Sequence, residues 1–295
     1  MRVAVTGSQG QVVQSLIERA QERGIELVTL GRPAFDLARP STIFARVRAV
    51  APDVIVNAAA YTAVDKAETH EPLATCVNGA GAGTVAQAAA RAGIPVLQLS
   101  TDYVFDGRVD RPYREVDAAV PLNAYGRSKL AGERLVSAAN PRHVILRTSW
   151  VYSPFGTNFL RTMLRLGEAR DAIPVIDDQV GCPTSAHDIA DAVLDICAAL
   201  QARPRRDDLF GIFHFAGAGA ATWADFAEAI FTEAARRGRR PVRVERITSA
   251  QYPAAARRPV NSRLDTRKLT DIYGVVPRPW RAPLPSIIER ALTNR

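Results

Sequence analysis

Short apolar runs alternate with amphipathic stretches through the first half of the chain. "RVAVT" (residues 2–6) ends in a turn, and residues 11–23 follow with apolar positions at helical spacing. "ELVTL" (26–30) is a second run, residues 41–50 a second helical stretch, and "DVIVNAAA" (53–60) a third run. The same spacing predicts a helix over 71–92, a strand at "PVLQLST", a helix over 125–138 and a strand at "HVILRTS". Runs that are apolar throughout, rather than at every second position, suit strands covered on both faces. Alternation of such strands with helices predicts an α/β fold, a Rossmann-type doubly wound parallel sheet, over residues 1–150.

Beyond Trp150 the pattern is less regular. Helices are predicted near 157–169, 187–201, 222–237 and 284–293, with short strands near 173–176, 210–215 and 242–247. This is the signature expected of a smaller C-terminal substrate-binding lobe, residues 151–295, partly interleaved with the sheet so that some segments return to it.

Composition narrows the function classes. No apolar run reaches the roughly 18 residues of a membrane span, and the chain enters a strand at once, so neither a membrane segment nor a secretory leader is expected. Three widely spaced cysteines, Cys76, Cys182 and Cys197, read as reduced thiols of a cytoplasmic protein, without metal-ligand spacing. The net charge of +8 rests on 35 arginines and three lysines. Most arginines alternate with acids along helices, and the dense tract from Arg236 to Arg246 lacks interleaved aromatics. No nucleic-acid partner is therefore expected, and a basic surface that attracts small polyanions fits better.

The first strand runs into "TGSQGQVV", where Gly7 can make a tight bend and Gly10 lets the backbone approach a pyrophosphate at a helix N-terminus. Val13 stands where a third glycine would allow close helix–strand packing. It should set the helix slightly outward or weaken cofactor binding, and Val13→Gly should tighten it. The second strand ends "TLGRPAFD", with Arg32 near the place where a ribose-binding acid would stand and no acid before Asp36. An arginine there suits a 2′-phosphate, hence NADPH with NADH possible, although Arg32 is equally readable as a solvated loop residue.

Chemistry concentrates at two later strand ends and one helix. "LSTDYVFDG" places Thr101 and Asp102 at one, and "RTSWVY" places Trp150 at another. "AYGRSKLAGE" sets Tyr125 and Lys129 four residues apart, on one face of a helix. A lysine beside a tyrosine can draw down the phenol pKa from its ordinary value of about 10 and make it a proton relay. An exposed helical pair would show the same spacing, but Lys129 is one of only three lysines in an arginine-rich chain.

In this order the glycine turn, "STDYVF", "YGRSK" and "RTSWVY" resemble the extended short-chain dehydrogenase/reductases. The added stretches "VNAAAYTAVDKAE", "PLNAYGRSKLAGE", "NFLRTML", "IDDQVGCPT" and "ARRPVNSRLDT" extend the likeness over nearly the whole chain, toward the dTDP-4-dehydrorhamnose reductase family. The resemblance implies a dTDP-sugar substrate whose C4 ketone takes hydride from nicotinamide and a proton from Tyr125. Lys129 would hold the ribose and Thr101 the reacting oxygen, with Asp102 and Val104 alongside. Gln11 and Val12 would line the pyrophosphate, Asp36 and Leu37 the adenosine side, and Ala60, Tyr61 and Thr62 the middle of the cofactor. Trp150 would pack against sugar or nucleotide, or else belong to the core. Arg258, Asn261 and Ser262 would reach the substrate diphosphate. Family members that bridge a dimer through Mg²⁺ hold it by glutamates, where this chain has Ser15 and His187. No Mg²⁺ and a monomer or weak homodimer are therefore expected. The family often has histidine where Tyr61 stands. Two rival readings share the fold: a reductase of another NDP-4-keto-6-deoxysugar, and a non-catalytic regulatory subunit such as the partner of methionine adenosyltransferase.

Overall fold

The five early apolar runs become strands β1 (Arg2–Thr6), β2 (Glu26–Leu30), β3 (Val54–Asn57), β4 (Val96–Thr101) and β5 (His143–Thr148) in a computed structural model that describes residues 1–293. A sixth strand, β6 (Gly211–His214), comes back from the second half and pairs with β5. The order is β6-β5-β4-β3-β1-β2, parallel throughout. From β1 the chain goes to β2 on one side and then crosses to β3 on the other. That reversal opens a crevice at the carboxyl ends of β1 and β3, where open α/β sheets bind ligands.

The longer helices are α1 (Gln11–Glu22), α2 (Ser41–Val50), α3 (Ala82–Arg91), α4 (Ala124–Ala139), α5 (Phe159–Gly167), α6 (Ala186–Ala202), α7 (Trp223–Ala235) and α8 (Leu284–Thr293). Side chains alternate across a strand, so Val3, Val5, Val54, Val56, Leu97, Leu99, Val144 and Leu146 pack with α1 and α6 on one face. Ala4, Ile55 and Ile145 pack with α2, α3 and Val136 of α4 on the other. Several helices start on a side-chain cap: Asn123, Asn158, Ser185 and Thr222 each accept a backbone N–H of the first turn.

A second core is assembled from three separate stretches of the later chain. Tyr152, Leu160, Met163, Ile173 and Val175 come from the first, Phe226 and Ile230 from the second, and Trp280, Leu284 and Ile287 from the third. Between them the chain returns to the sheet, through α6 and β6 and then through Leu269. A short parallel pair, 172–176 with 243–247, closes this lobe.

Two differences from the sequence pattern have local causes. The single helix expected over 71–92 is a helix Glu71–Thr75, a π-helical turn Cys76–Gly81, and then α3. The wider turn presents the Asn78 side chain to the Tyr61 backbone, whose N–H donates to Asn78 Oδ1 at 2.7 Å. The third strand ends at Asn57 rather than running to Ala60. There Thr6 Oγ1 donates to Asn57 Oδ1 at 2.6 Å, and the Ala59 N–H turns onto Thr6 Oγ1 at 2.9 Å.

Val13 has a packing role. It is 2% exposed within the core between the sheet and α6, and a Cβ at Gly7 would lie 3.5 Å from its Cγ2. Loss of its isopropyl group, together with glycine in a helix, is expected to destabilise Val13→Gly by about 2–3 kcal/mol. Urea unfolding checks this; a variant as stable as the parent would show that α1 closes onto the sheet.

Candidate active site

At the crevice, Gly7 follows β1 with φ +93°, a conformation that side chains other than glycine rarely take. Gly10 is the N-cap of α1, which has neither a side-chain cap nor an acid in its first turn. Its free N–H groups and the positive end of its dipole suit a pyrophosphate. Val12 and Val13 face the core instead. The Gln11 carboxamide is committed elsewhere: Nε2 donates to the Val151 carbonyl, and Oε1 accepts from Ser153 Oγ at 2.9 Å and Asn158 Nδ2 at 3.3 Å. The Gln11 carboxamide thus ties α1 to residues 151–158, and the Gln11 backbone is what remains for a phosphate.

After β2, Arg32 is exposed. Asp36 organises its own loop: Oδ1 accepts the Ala38 N–H, and its backbone N–H donates to Thr42 Oγ1. Leu37 is buried under α2 and α3. After β3, Ala60, Tyr61 and Thr62 form the rim, with the Tyr61 backbone clasped at both N–H and C=O by Asn78. Asn78 also donates to Ser128 Oγ at 2.9 Å, joining this rim to α4.

Helix α4 carries Tyr125 onto the end of β4. Its approach depends on Gly126, where a Cβ would fall 2.2 Å from the Tyr103 carbonyl oxygen. The Tyr125 and Tyr103 rings meet edge to face at 5.9 Å. Thr101 Oγ1 donates to Asp102 Oδ1 at 3.0 Å, accepts the Tyr103 N–H at 3.2 Å, and lies beside the Tyr125 phenol. Ser262 lies beside the Asp102 carboxyl, whose Oδ2 is buried without a hydrogen-bond partner among the described residues, and Val104 is buried in the turn that follows. Tyr125, Thr101, Asp102 and Ser262 are thus brought together.

Burial is the leading cause of the proton affinities here. It pushes Tyr125 up to about 12, with the Asp102 charge adding and the Thr101 hydrogen bond opposing. The phenol is therefore neutral and a donor at physiological pH. Lys129 does not draw it down as the spacing suggested. Its ammonium donates to the Leu99 carbonyl at 2.7 Å and is pushed down to about 8 by burial, against the pull of Glu133. Two of its three N–H donors remain for a ligand.

Asp102 is pushed up to about 7 by burial, against the opposing effect of the Ser262 and Thr101 hydroxyls. The folded state therefore holds a proton that the unfolded chain releases near pH 4, and the stability this gives is lost as pH rises from about 4 to 7. Asp102→Asn keeps an acceptor for Thr101 and removes the buried charge. It is expected to raise stability at pH 8 by up to about 4 kcal/mol and to flatten the profile between pH 4 and 7. Urea titrations at pH 5 and pH 8 check this, and parallel pH profiles of variant and parent would refute it.

Arg258 and Asn261 are engaged within the protein. Arg258 pairs with Asp65 at 2.7 Å, donates to the Ala256 carbonyl and reaches Tyr103. Asn261 Nδ2 donates to the Val109 and Arg111 carbonyls at 2.6 and 2.9 Å, and its Oδ1 accepts from Arg263. Its expected diphosphate contact is corrected: a carboxamide so occupied fixes the 109–111 loop. Of the two positions matched to metal-bridging glutamates, Ser15 is buried and donates to the Gln11 carbonyl. His187 lies 3.0 Å from Glu18, which also pairs with Arg290.

Trp150, two residues past β5, has φ +45° and stacks on Trp223, the ring centroids 3.5 Å apart and the planes within 4°. The sequence reading missed Asp65, Asn78, Tyr103 and Trp223. Asp65 and Tyr103 stood inside quoted motifs without a role, whereas no local signal marks Trp223.

A family model described as the RmlD substrate binding domain matches residues 1–293. A dTDP-4-dehydrorhamnose reductase of Sinorhizobium fredii is 51% identical over 276 residues, covering 93% of this chain and 92% of that protein. The Escherichia coli protein of the same name is 40% identical over 262 residues, covering 88% and 86%. Among solved structures, a dTDP-4-dehydrorhamnose reductase of Clostridium acetobutylicum superimposes with a TM-score of 0.90 at 34% identity over 100% of both chains. One from Bacillus anthracis, in complex with NADP, superimposes with a TM-score of 0.89 at 32% identity over 100% of this chain and 99% of that one.

Proposed function

The chain belongs to the dTDP-4-dehydrorhamnose reductase family, and from that premise we propose that it reduces the C4 ketone of dTDP-4-dehydro-L-rhamnose to give dTDP-L-rhamnose, with NADPH as reductant. The observation that carries the reading is the buried Tyr125–Thr101–Asp102 cluster at the carboxyl end of β4, beside an uncapped α1 N-terminus.

NADPH, when bound, supplies the hydride. Gly7, Gly10 and the first N–H groups of α1 hold its pyrophosphate, and Lys129 holds the nicotinamide ribose with the donors that Leu99 leaves free. Tyr125, neutral with a pKa of about 12, donates its proton to the C4 oxygen as the carbon takes up hydride. The single Thr101 hydroxyl proton, given to Asp102 in the absence of substrate, turns to the same oxygen, where negative charge develops. Asp102 holds the Thr101 hydroxyl in place until then, and Ser262 lies beside its carboxyl. Trp150 bounds the sugar pocket, and Arg32 meets the 2′-phosphate.

The test is NADPH oxidation with the keto-sugar generated in place from dTDP-glucose. Stoichiometric conversion to the dTDP-L-rhamnose stereoisomer is expected; binding of NADPH without oxidation, or a different product stereoisomer, overturns the reading. In the same assay Arg32→Ala should raise KM for NADPH about tenfold, the value of one charge-assisted phosphate contact, and leave NADH unaffected.

A further inference from the structure

Trp150 occupies a left-handed backbone position, φ +45°, which a bulky residue adopts only under constraint. Its backbone carbonyl accepts the Thr184 N–H at 3.2 Å. One face of the indole is covered by Trp223, parallel at 3.5 Å. A Cβ at Gly181 would fall 2.3 Å from Trp150 Cε2, 2.5 Å from Nε1 and 2.7 Å from Cζ2. An approach of that kind comes from above the ring plane. With Trp223 at stacking distance on one face, the Gly181 backbone lies over the other.

Trp223 is itself held firmly. Its Nε1–H donates to Gln179 Oε1 at 3.2 Å, and Phe159 packs on its ring at 4.6 Å. It is the first residue of α7, behind a capping box formed by Thr222 and Asp225. The strand carrying Gly181 runs beside Val260 and Ser262: Val180 N–H donates to the Val260 carbonyl and Ser262 N–H to the Val180 carbonyl. The Ser262 side chain in turn lies beside the Asp102 carboxyl. The sandwich therefore adjoins the reacting cluster.

We infer that Trp223 and Gly181 are positioning residues that clamp the Trp150 indole by both faces, so that Trp150 meets the nucleotide sugar with its edge and not by stacking. The inference rests on the reductase reading above for the identity of the ligand. Among the described residues no acceptor meets the Trp150 Nε1–H, so the edge offers one hydrogen-bond donor to a sugar hydroxyl. The clamp fixes the direction of that donor and makes it a contributor to substrate affinity more than to the chemical step.

Two measurements test this. Trp223→Leu keeps an apolar filling but removes the stack. It should raise KM for the keto-sugar about tenfold while kcat stays within about twofold, the split expected of lost uniform binding; Trp223→Phe should restore KM and Gly181→Ala should raise it. An unchanged KM in Trp223→Leu overturns the inference. The stacked indoles should also give a far-ultraviolet exciton couplet in circular dichroism, absent in Trp223→Leu. Its persistence when the wild type is saturated with dTDP-L-rhamnose supports a permanent clamp; its collapse means that the ligand displaces Trp223 and stacks, which overturns it. Should the wild type fail to oxidise NADPH with any keto-sugar, the functional reading fails, while the couplet still reports on the clamp.

Discussion

Tyr125→Phe is expected to lower kcat about a thousandfold, within the range that a positioned general acid contributes, with the dissociation constant of NADPH unchanged. The phenol lies among Thr101, Asp102 and Tyr103, and removing one oxygen leaves the ring to keep its edge contact with Tyr103 at 5.9 Å. The fold should therefore survive, and the loss should fall on the chemical step. Burial holds the wild-type phenol neutral to about pH 12, so no ionisation of Tyr125 limits the rate of reduction at neutral pH. Single-turnover kinetics and a cofactor titration separate the two quantities. A variant retaining a tenth of the parental kcat would require another proton donor.

The second large effect lies just beneath the site. Glu133 of α4 and Arg147 of β5 form an ion pair at 2.6 Å with both side chains 3% exposed, and Ser100 Oγ donates to the same carboxylate at 2.5 Å. Removing one partner strands a charge in the core. Arg147→Met is expected to cost about 3–5 kcal/mol of stability, and the double variant Arg147→Met/Glu133→Leu should recover much of it, because two apolar side chains desolvate more cheaply than one unpaired ion. Urea unfolding of both variants and the parent checks this. A double variant no more stable than Arg147→Met would mean that Ser100 and the strand ends depend on the carboxylate itself.

Much of this architecture was legible in the sequence, because strands buried on both faces leave unbroken apolar runs and the helices between them keep a 3.6-residue period. The strand-end chemistry was legible too, since Thr101, Tyr125 and Lys129 sit in contiguous stretches whose spacing maps directly onto a strand end and a helix face. What escaped was built by contacts distant in sequence. The π-helical turn at Cys76–Gly81 answers to the Tyr61 backbone, and the strand pairs in the lobe are only two residues long at Val180–Gly181 and Ala221–Thr222. No window of sequence carries a period for such pieces. Asn261 shows a related difficulty: a carboxamide near a site looks available until the carbonyls that occupy it are in view. The Lys129 error concerned direction, since spacing puts the ammonium on the right helix face but does not say that a carbonyl of β4 takes it.

The lobe core, drawn from three stretches with the sheet revisited between them, sets a limit on how this protein can be recombined with its relatives. A cassette swap with one splice after β5 would carry β6 and α6 along with the lobe, and so replace part of the cofactor-binding sheet as well. Exchange of sugar specificity by domain transplantation would need several junctions at once. Point changes leave that interleaved packing intact, whereas an exchange of halves disrupts it.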